Sequence, residues 1–201
     1  MTGVAAVILA GGKSERLGGL NKALLSIGGE RLIDRARRVV AGCDPLLLAV
    51  GGNAFAIDGM VSIPDLGGDY AGPLAGVAAA VDALVDNAAQ WLMSLAVDTP
   101  FLPTDFLARA MPLIAGHDVV LGCFGAQDYP TNALWRLEAI RSLPDALRAG
   151  TAPHSLKRLA GGLRTARLDY AGLVASNPFA NVNTPEDLNN LTLLATHQGP
   201  G

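Results

Sequence analysis

The sequence has few of the residues that build disulfide frameworks and metal clusters. Its 201 residues include two cysteines, Cys43 and Cys123, and three histidines. The cysteines are too far apart for a Cys-x-x-Cys pair, and the histidines lack the spacing of a zinc site. The two cysteines are expected to remain free thiols in a reducing compartment, which predicts a cytoplasmic protein.

Basic residues and long apolar runs are also scarce. Lys and Arg number 15 against 18 Asp and Glu, so the net charge is −3. General nucleic-acid binders and proteins of acidic membrane surfaces normally carry a basic surplus. No apolar run has the length of a membrane span, and the first residues lack the charged region of a secretory signal. Neither nucleic acid nor a membrane is expected as a partner.

What the sequence does have is a regular alternation of short apolar runs with amphipathic stretches. This pattern is typical of βαβ units in a mostly parallel sheet. The predicted strands are 4–10, 45–50, 60–65, 91–97, 118–124, 131–135 and 164–169. The predicted helices are 30–40, 72–85, about 104–115, 137–150 with a break at Pro144, 154–162, and one that begins at Thr184. We therefore predict a single doubly wound α/β domain over residues 1–201.

A glycine-rich loop, LAGGKSERLGGLNK at residues 9–22, follows the first predicted strand. Its Gly12-Lys13-Ser14 fragment suggests a P-loop, but that motif needs a glycine five residues before Gly12, where the chain has Val7. The dinucleotide fingerprint Gly-x-Gly-x-x-Gly fails as well, because Gly11 and Gly12 are adjacent. The loop is therefore neither of these two phosphate-binding motifs.

Three cations, Lys13, Arg16 and Lys22, lie within ten residues of this loop. Clustered cations in an acidic chain indicate a site for a small anion such as a phosphate. The alternative for these residues is an ordinary strand-to-helix turn with solvated charges.

Polar residues and glycines follow the predicted strands, at the edge where open α/β sheets bind ligands. These strand ends carry Gly11-Gly12, Gly51-Gly52-Asn53, Asp65 and Asp98. Asp98 ends a strand that is apolar apart from Ser94, and a carboxylate held there suits Mg²⁺, which takes one or two carboxylates plus substrate phosphates. A turn or a helix cap is the alternative for Asp98. Asp65 either bonds a ligand hydroxyl or base, or begins a turn.

Four segments together resemble the molybdenum cofactor guanylyltransferases, proteins that attach GMP to molybdopterin. These segments are LAGGKSERLGGLNK, DYAGPLAG (69–76), DTPFLP (98–103) and NVNTPEDL (181–188), in the order of the family. The resemblance implies a Rossmann-like fold of the nucleotidyltransferase type, GTP and molybdopterin as substrates, Mg²⁺ as cofactor and pyrophosphate as leaving group. Other cofactor-biosynthesis proteins or molybdoenzymes are the protein partners it leaves open.

The resemblance also implies roles for parts of the chain. Residues 1–100 would form mainly the nucleotide-binding half and 101–195 the acceptor half, with 196–201 as a tail. The implied nucleotide- and cofactor-binding residues are Leu9, Ala10, Gly11, Gly12, Lys13, Lys22, Asn53, Asp65 and Asp98. The implied catalytic residues are Lys22, Arg16 and Asp98, of which Asp98 would hold Mg²⁺. Asn181 and Asn183 would face molybdopterin.

The chain departs from the family pattern at several positions. Leu17 stands where Met is common, Asn21 where Asp usually precedes the lysine, and Tyr129 where His is frequent before the proline. The basic segment expected near 150–160 is reduced to His154, Lys157 and Arg158. The last two departures bear on the acceptor side more than on the nucleotide side.

Three other functions are compatible with parts of the pattern. A cytidylyltransferase acting on the same pterin would share the fold, but such proteins tend to have Leu-Ala-Ala-Gly where this chain has LAGG at 9–12. The missing methyl group leaves space for a purine. A sugar-1-phosphate nucleotidyltransferase usually needs a longer chain. A non-catalytic GTP-binding adaptor would keep the loop without needing Asp98.

Overall fold

The computed structural model of the protein describes residues 3–11, 21–51, 55–66 and 72–197. Its strands are β1 Val4–Leu9, β2 Ser26–Ile27, β3 Glu30–Arg31, β4 Leu46–Ala49, β5 Val61–Ile63, β6 Trp91–Ala96, β7 Val119–Phe124, β8 Gln127–Arg136 and β9 Thr165–Asp169. Seven of them form one sheet in the order β5-β4-β1-β6-β8-β7-β9, and β2 pairs with β3 in a separate hairpin.

The direction of the strands divides this sheet in two. β5, β4, β1 and β6 are parallel neighbours, as predicted for strands linked by helices. β8 runs antiparallel to both β6 and β7, and β9 is again parallel to β7. The sheet is therefore mostly parallel, which confirms the predicted fold class. Because β8 is reversed, its first half lies at the same edge as the carboxyl ends of the parallel strands.

Helices cover both faces of the sheet. They are a 3-10 helix at Lys22–Leu24 and the α-helices α1 Leu32–Val39, α2 Pro73–Ala83, α3 Phe106–Ile114, α4 Leu137–Ile140, α5 Leu143–Arg148, α6 Leu156–Gly161 and α7 Pro185–His197. α1, α3 and α7 pack in the core on one face, where β1 contributes Ala6 and Ile8. α2, α4, α5 and α6 pack on the other, where it contributes Val7 and Leu9. This alternation explains why β1 is apolar at every position.

Three predicted elements differ in detail from the structure: the helix over 30–40, the helix break at Pro144, and the strand over 131–135, which spans Gln127–Arg136. The helix predicted over 30–40 begins only at Leu32, because Glu30–Arg31 pairs with Ser26–Ile27 across Gly28 and Gly29, which adopt φ of 59° and 82°. Pro144 does not interrupt a helix but lies in the first turn of α5, where its missing N–H costs little. Within the described residues, no helix is long and apolar enough to cross a membrane.

Candidate active site

One edge of the sheet collects the residues that follow four parallel strands. β5, β4, β1 and β6 run in the same direction, so their carboxyl ends lie side by side. Backbone bonding continues past the strands, since the N–H of Val97 donates to the carbonyl of Leu9 at 3.1 Å. The next residues along the chain are Ala10-Gly11, Val50-Gly51, Pro64-Asp65 and Val97-Asp98. The predicted strand-end residues therefore share the edge where open α/β sheets bind ligands.

Two glycines, Gly11 and Gly76, allow neighbouring atoms to pack unusually close to the backbone near the end of β1. A Cβ on Gly11 would lie 3.1 Å from the backbone nitrogen of Gly51 and 3.3 Å from Oδ2 of Asp65. A Cβ on Gly76, in α2, would lie 2.8 Å from Cδ2 of Leu9 and 3.4 Å from Oδ1 of Asp65. The Asp65 carboxylate is thus held between backbone segments that have no room for side chains.

Asp65 itself lies in a shallow pocket with Leu9, Gly11 and Pro73 around it. Burial raises the pKa of its carboxyl above the ordinary value of 3.8, and a hydrogen bond from the backbone N–H of Gly51 opposes this shift. Among the described residues Asp65 has no cationic partner, and a half-buried carboxylate of this kind can gain by accepting N–H or O–H bonds from a ligand. The pocket is therefore suited to a polar, uncharged part of a ligand.

A second group of side chains lies at the end of β6. The ammonium Nζ of Lys22 donates to Oδ2 of Asp98 at 2.9 Å and to Oδ1 of Asn183 at 2.8 Å. The side chains of Lys22 and Asp98 are each 18% exposed, so the pair is accessible from solvent but largely enclosed. The structure thus brings together three predicted site residues from distant parts of the sequence.

The 3-10 helix that carries Lys22 is held by a side-chain cap at its start and by a buried residue in its single turn. Oδ1 of Asn21 accepts a hydrogen bond from the N–H of Ala23 at 3.0 Å, and Ala23 is fully buried. Asp can form the same bond at this position, so the departure from the family pattern at Asn21 preserves the cap. Lys22 is therefore presented from an anchored turn.

A buried polar network holds the turn that contains Asp98. Oδ1 of Asn132, in β8, accepts from the N–H of Ala96 at 3.1 Å and from the hydroxyl of Thr99 at 3.2 Å. The same hydroxyl lies 2.7 Å from the carbonyl of Ala96. Asn132 and Thr99 are both buried, so removing either would leave a polar group without its partner. The reversed strand β8 thus stabilises the turn on either side of Asp98.

The segment that carries Asn183 is held by hydrogen bonds of the residues before and after it. The N–H of Val182 donates to the carbonyl of Asp98 at 3.0 Å. Oδ2 of Asp187 accepts from the N–H of Asn183 at 2.9 Å and from that of Thr184 at 2.8 Å, while the Thr184 hydroxyl accepts from the N–H of Asp187 at 3.1 Å. This reciprocal cap begins α7, as the Thr-Pro-Glu-Asp sequence predicts.

Tyr129 supports the chain just before this segment. Its ring stacks on Phe179 with 4.6 Å between the centroids, and its hydroxyl lies 2.6 Å from Nδ2 of Asn177. Oδ1 of Asn177 in turn accepts from the N–H of Phe179 at 3.0 Å, and Phe179 is fully buried. The tyrosine that replaces the frequent His therefore anchors residues 177–179 in the core.

Of the twelve predicted site residues, seven lie at this edge, Asn181 lies in the segment before α7, and four lie outside the described residues. Leu9, Ala10, Gly11, Lys22, Asp65, Asp98 and Asn183 lie at the edge. Asn181 is exposed two residues before Asn183. Gly12, Lys13, Arg16 and Asn53 lie outside the described residues, so their assigned roles stay predictions.

Sequence reasoning missed three residues that shape this site: Gly76, Asn132 and Asp187. Gly76 belongs to the DYAGPLAG segment, but nothing in that segment shows which atoms its missing Cβ would meet. Asn132 is a polar residue directly before the apolar run Ala133–Trp135 of β8, and a buried polar residue at such a position signals a hydrogen-bond network. Asp187 belongs to the NVNTPEDL segment, but nothing in that segment shows its bond to Asn183.

Known proteins match the chain along most of its length. Residues 6–165 match the family model of the MobA-like NTP transferase domain. The molybdenum cofactor guanylyltransferase of Bradyrhizobium sp. (strain ORS 278) is 34% identical over 194 residues, covering 93% of this chain and 91% of that protein.

Solved structures share the fold at lower sequence identity. Molybdopterin-guanine dinucleotide biosynthesis protein A from Archaeoglobus fulgidus has a TM-score of 0.71 at 20% identity, covering 96% of this chain and 99% of that one. Rv0371C from Mycobacterium tuberculosis H37Rv, in complex with manganese, has a TM-score of 0.62 at 20% identity, with 96% and 98% covered. The chain is therefore a nucleotidyltransferase and belongs to the molybdenum cofactor guanylyltransferase family of MobA-like NTP transferase domains.

Proposed function

We propose that this protein transfers GMP from GTP to the terminal phosphate of molybdopterin, which yields the guanine dinucleotide form of the cofactor and pyrophosphate. Family membership supports the reaction and both substrates. The structural observation that supports it most directly is the Lys22 ammonium, bonded to Asp98 and Asn183 at the strand ends. Phosphoryl transfer depends on such positioned charges more than on covalent chemistry by the protein.

Asp98 is the residue that would hold Mg²⁺. Among the described residues, no group of three or more His, Cys, Asp or Glu side chains could hold a metal ion. Mg²⁺ is instead commonly bound by one or two carboxylates together with substrate phosphates, so a single accessible carboxylate at a phosphate site fits this ion. When bound, the ion would neutralise charge on the triphosphate and polarise it.

Lys22 would neutralise the charge that develops on the α-phosphate during transfer. The terminal phosphate of molybdopterin attacks the α-phosphorus, the new P–O bond forms, and the bond to the β-phosphate oxygen breaks to release pyrophosphate. A phosphate monoester is already an anion near neutral pH, so no protein nucleophile is needed. The backbone N–H groups of Gly11 and Gly12, with Lys13 and Arg16, are the groups we assign to the leaving phosphates.

The small pocket around Asp65 would hold a polar group of the nucleoside. Its carboxylate can accept hydrogen bonds from the N–H groups of guanine or from a ribose hydroxyl. A methyl group at Gly11 would press against Asp65 and Gly51, so glycine at this position lets the Asp65 carboxylate lie close to the end of β1. Leu9 and Ala10 would line the nucleotide beside it, and Asn53 is assigned to the same ligand.

The acceptor would approach from the side of Asn181 and Asn183. Asn183 contacts Lys22 directly, so a phosphate bound beside this residue would lie next to the cation that faces the α-phosphate. Proximity of the two reacting phosphates supplies much of the rate enhancement in such transfers.

Calorimetric titration with GTP, CTP, ATP and UTP in the presence of Mg²⁺ tests the nucleotide assignment. We expect selective binding of GTP, and loss of its Mg²⁺ dependence in Asp98→Asn. Asp86→Asn is a matched control, because Asp86 is an exposed carboxylate in the loop before β6, at the opposite edge of the sheet. Preference for CTP would reassign the protein to the cytidylyltransferases, and absence of nucleotide binding would overturn the proposed function. A subsequent assay of GMP transfer to molybdopterin tests the acceptor.

A further inference from the structure

The Lys22 ammonium donates hydrogen bonds to two side chains of the site. A lysine ammonium has three N–H donors. Within the described part of the chain, two of them are used, one by Oδ2 of Asp98 at 2.9 Å and one by Oδ1 of Asn183 at 2.8 Å. The third donor can therefore point to a substrate phosphate, with its direction fixed by the other two bonds.

The two acceptors of Lys22 differ in their surroundings, because Asn183 lies in a more exposed part of the chain than Asp98. Asp98 follows a buried strand, whereas Asn183 is exposed and lies in an irregular segment before α7. Lys22 has a long side chain with many rotamers, so an acceptor that moves cannot fix it. The position of Lys22 therefore depends on whatever holds Asn183.

Asp187 is the side chain that holds Asn183. Its Oδ2 accepts from the backbone N–H of Asn183 at 2.9 Å and from that of Thr184 at 2.8 Å. These bonds keep the pKa of the Asp187 carboxyl below its ordinary value, and the bond from the N–H of Asn183 has the largest effect. Asp187 is therefore an anion at neutral pH and a strong acceptor for both N–H groups.

We propose that Asp187 is a positioning residue for nucleotidyl transfer: it fixes Asn183, and Asn183 directs the Lys22 ammonium toward the substrate phosphate. This inference rests on the proposed function. Asp187 does not touch the reacting atoms, so its effect must pass through Asn183 and Lys22. The bonds of Asp187 thus serve the active site as well as the start of α7.

The inference predicts a change in kcat with little change in KM for GTP. In Asp187→Ala, Asn183 loses its support and Lys22 loses one of its two directing acceptors, whereas the proposed nucleoside pocket around Asp65 is unchanged. Misplacement by about 1 Å can cost about 10²-fold in rate, so we expect kcat to fall about 10- to 100-fold. The readout is steady-state guanylyl transfer by the full-length protein, with GTP and molybdopterin varied separately.

Two variants separate this role from simple helix capping. Thr184→Ala removes the hydroxyl that accepts from the N–H of Asp187, so it should lower Tm much as Asp187→Ala does and leave kcat unchanged. Asp187→Asn keeps an oxygen that can accept both N–H bonds, so it should restore most of kcat. Glu186→Ala removes a neighbouring exposed acid and should change neither quantity.

A double-mutant cycle tests whether Asp187 acts through Asn183. Asn183→Ala removes the Lys22 acceptor directly, so the Asn183→Ala/Asp187→Ala double variant should be no slower than Asn183→Ala alone. Wild-type kcat in folded Asp187→Ala overturns the inference. Wild-type kcat in Asn183→Ala overturns it as well, even if Asp187→Ala does not fold. Failure of the wild-type protein to transfer GMP would instead overturn the proposed function, and the inference with it.

Discussion

Two carboxylates, Asp98 and Asp65, lie at the same edge of the sheet in contrasting surroundings. Each stands two residues beyond its strand, Asp98 after β6 and Asp65 after β5. Asp98 bonds the Lys22 ammonium at 2.9 Å, whereas Asp65 lies against glycines, and burial raises its pKa. The strand end gives both residues a rigid position, but the partner decides the chemistry. We assign the ion-paired carboxylate to the phosphates and the close-packed one to the nucleoside.

Removing the charge of Asp98 should have the largest effect on activity. In Asp98→Asn we expect kcat to fall about 10³-fold, because the variant lacks the carboxylate proposed to hold Mg²⁺. Asn can still accept a hydrogen bond from Lys22, so Tm should change little. Transfer rates and thermal unfolding of the same preparation provide the check. Near-normal turnover would remove Asp98 from the metal site.

Loss of the ammonium at Lys22 should have the next largest effect. In Lys22→Met the stem is similar but the cation is missing, and we expect kcat to fall about 10²-fold. The affinity for GTP should fall less, because the proposed nucleoside pocket has its own hydrogen-bond acceptor, the Asp65 carboxylate. Single-turnover kinetics separate the two quantities. An equal loss in affinity and rate would mean that Lys22 serves binding rather than transfer.

Asp65→Asn should weaken GTP binding while it stabilises the fold. One charged hydrogen bond to the nucleoside is worth about 10-fold in Kd. An acid whose folded-state pKa is raised binds more protons when folded, so its contribution to stability falls as pH rises from 3.8 through the raised pKa. The variant should therefore have a higher Tm than wild type at neutral pH, and the difference should shrink toward pH 3.8. A lower Tm at neutral pH would contradict this account.

A methyl group at Gly76 should have the smallest effect on activity. Its Cβ would lie 2.8 Å from Cδ2 of Leu9 and 3.1 Å from Cβ of Ala49. Overpacking of this kind costs about 1–3 kcal/mol, and the displaced Leu9 would narrow the pocket, so Kd for GTP should rise a few-fold. Gly161→Ala is the matched control, because a Cβ at Gly161 would meet no atom of the described residues within 4 Å apart from its own helix backbone and chain neighbours. Unchanged Tm and Kd in Gly76→Ala would show that Leu9 relaxes without cost.

The parts of the site that depend on local sequence could be predicted. β6 is apolar apart from Ser94, and a polar residue just beyond such a strand must lie at the sheet edge, which identified Asp98. The Thr-Pro-Glu-Asp run at 184–187 identified the start of α7 in the same way. Four motifs in the family order identified the fold and the reaction. Each of these signals is contained within 14 residues or fewer.

The parts that depend on long-range pairing could not be predicted. The bond between Lys22 and Asp98 joins residues 76 apart, and the bond between Lys22 and Asn183 joins residues 161 apart. The antiparallel insertion of β8 between β6 and β7 also has no local signature, although it places Asn132 beside Thr99. Such contacts depend on which surfaces pack together, and this cannot be predicted from composition or from the spacing of residues in the sequence.

The sequence by itself determined the elements, the glycine-rich strand ends and the family, because propensity, periodicity and motifs act over neighbouring residues. Only the tertiary structure decided that Lys22 bonds both Asp98 and Asn183, that Asp187 holds Asn183, and that Asp65 is enclosed by glycines. The physical reason is that these arrangements arise when distant segments are brought into contact by burial of the two apolar faces of the sheet. Their geometry is then fixed by hydrogen bonds formed across that packing.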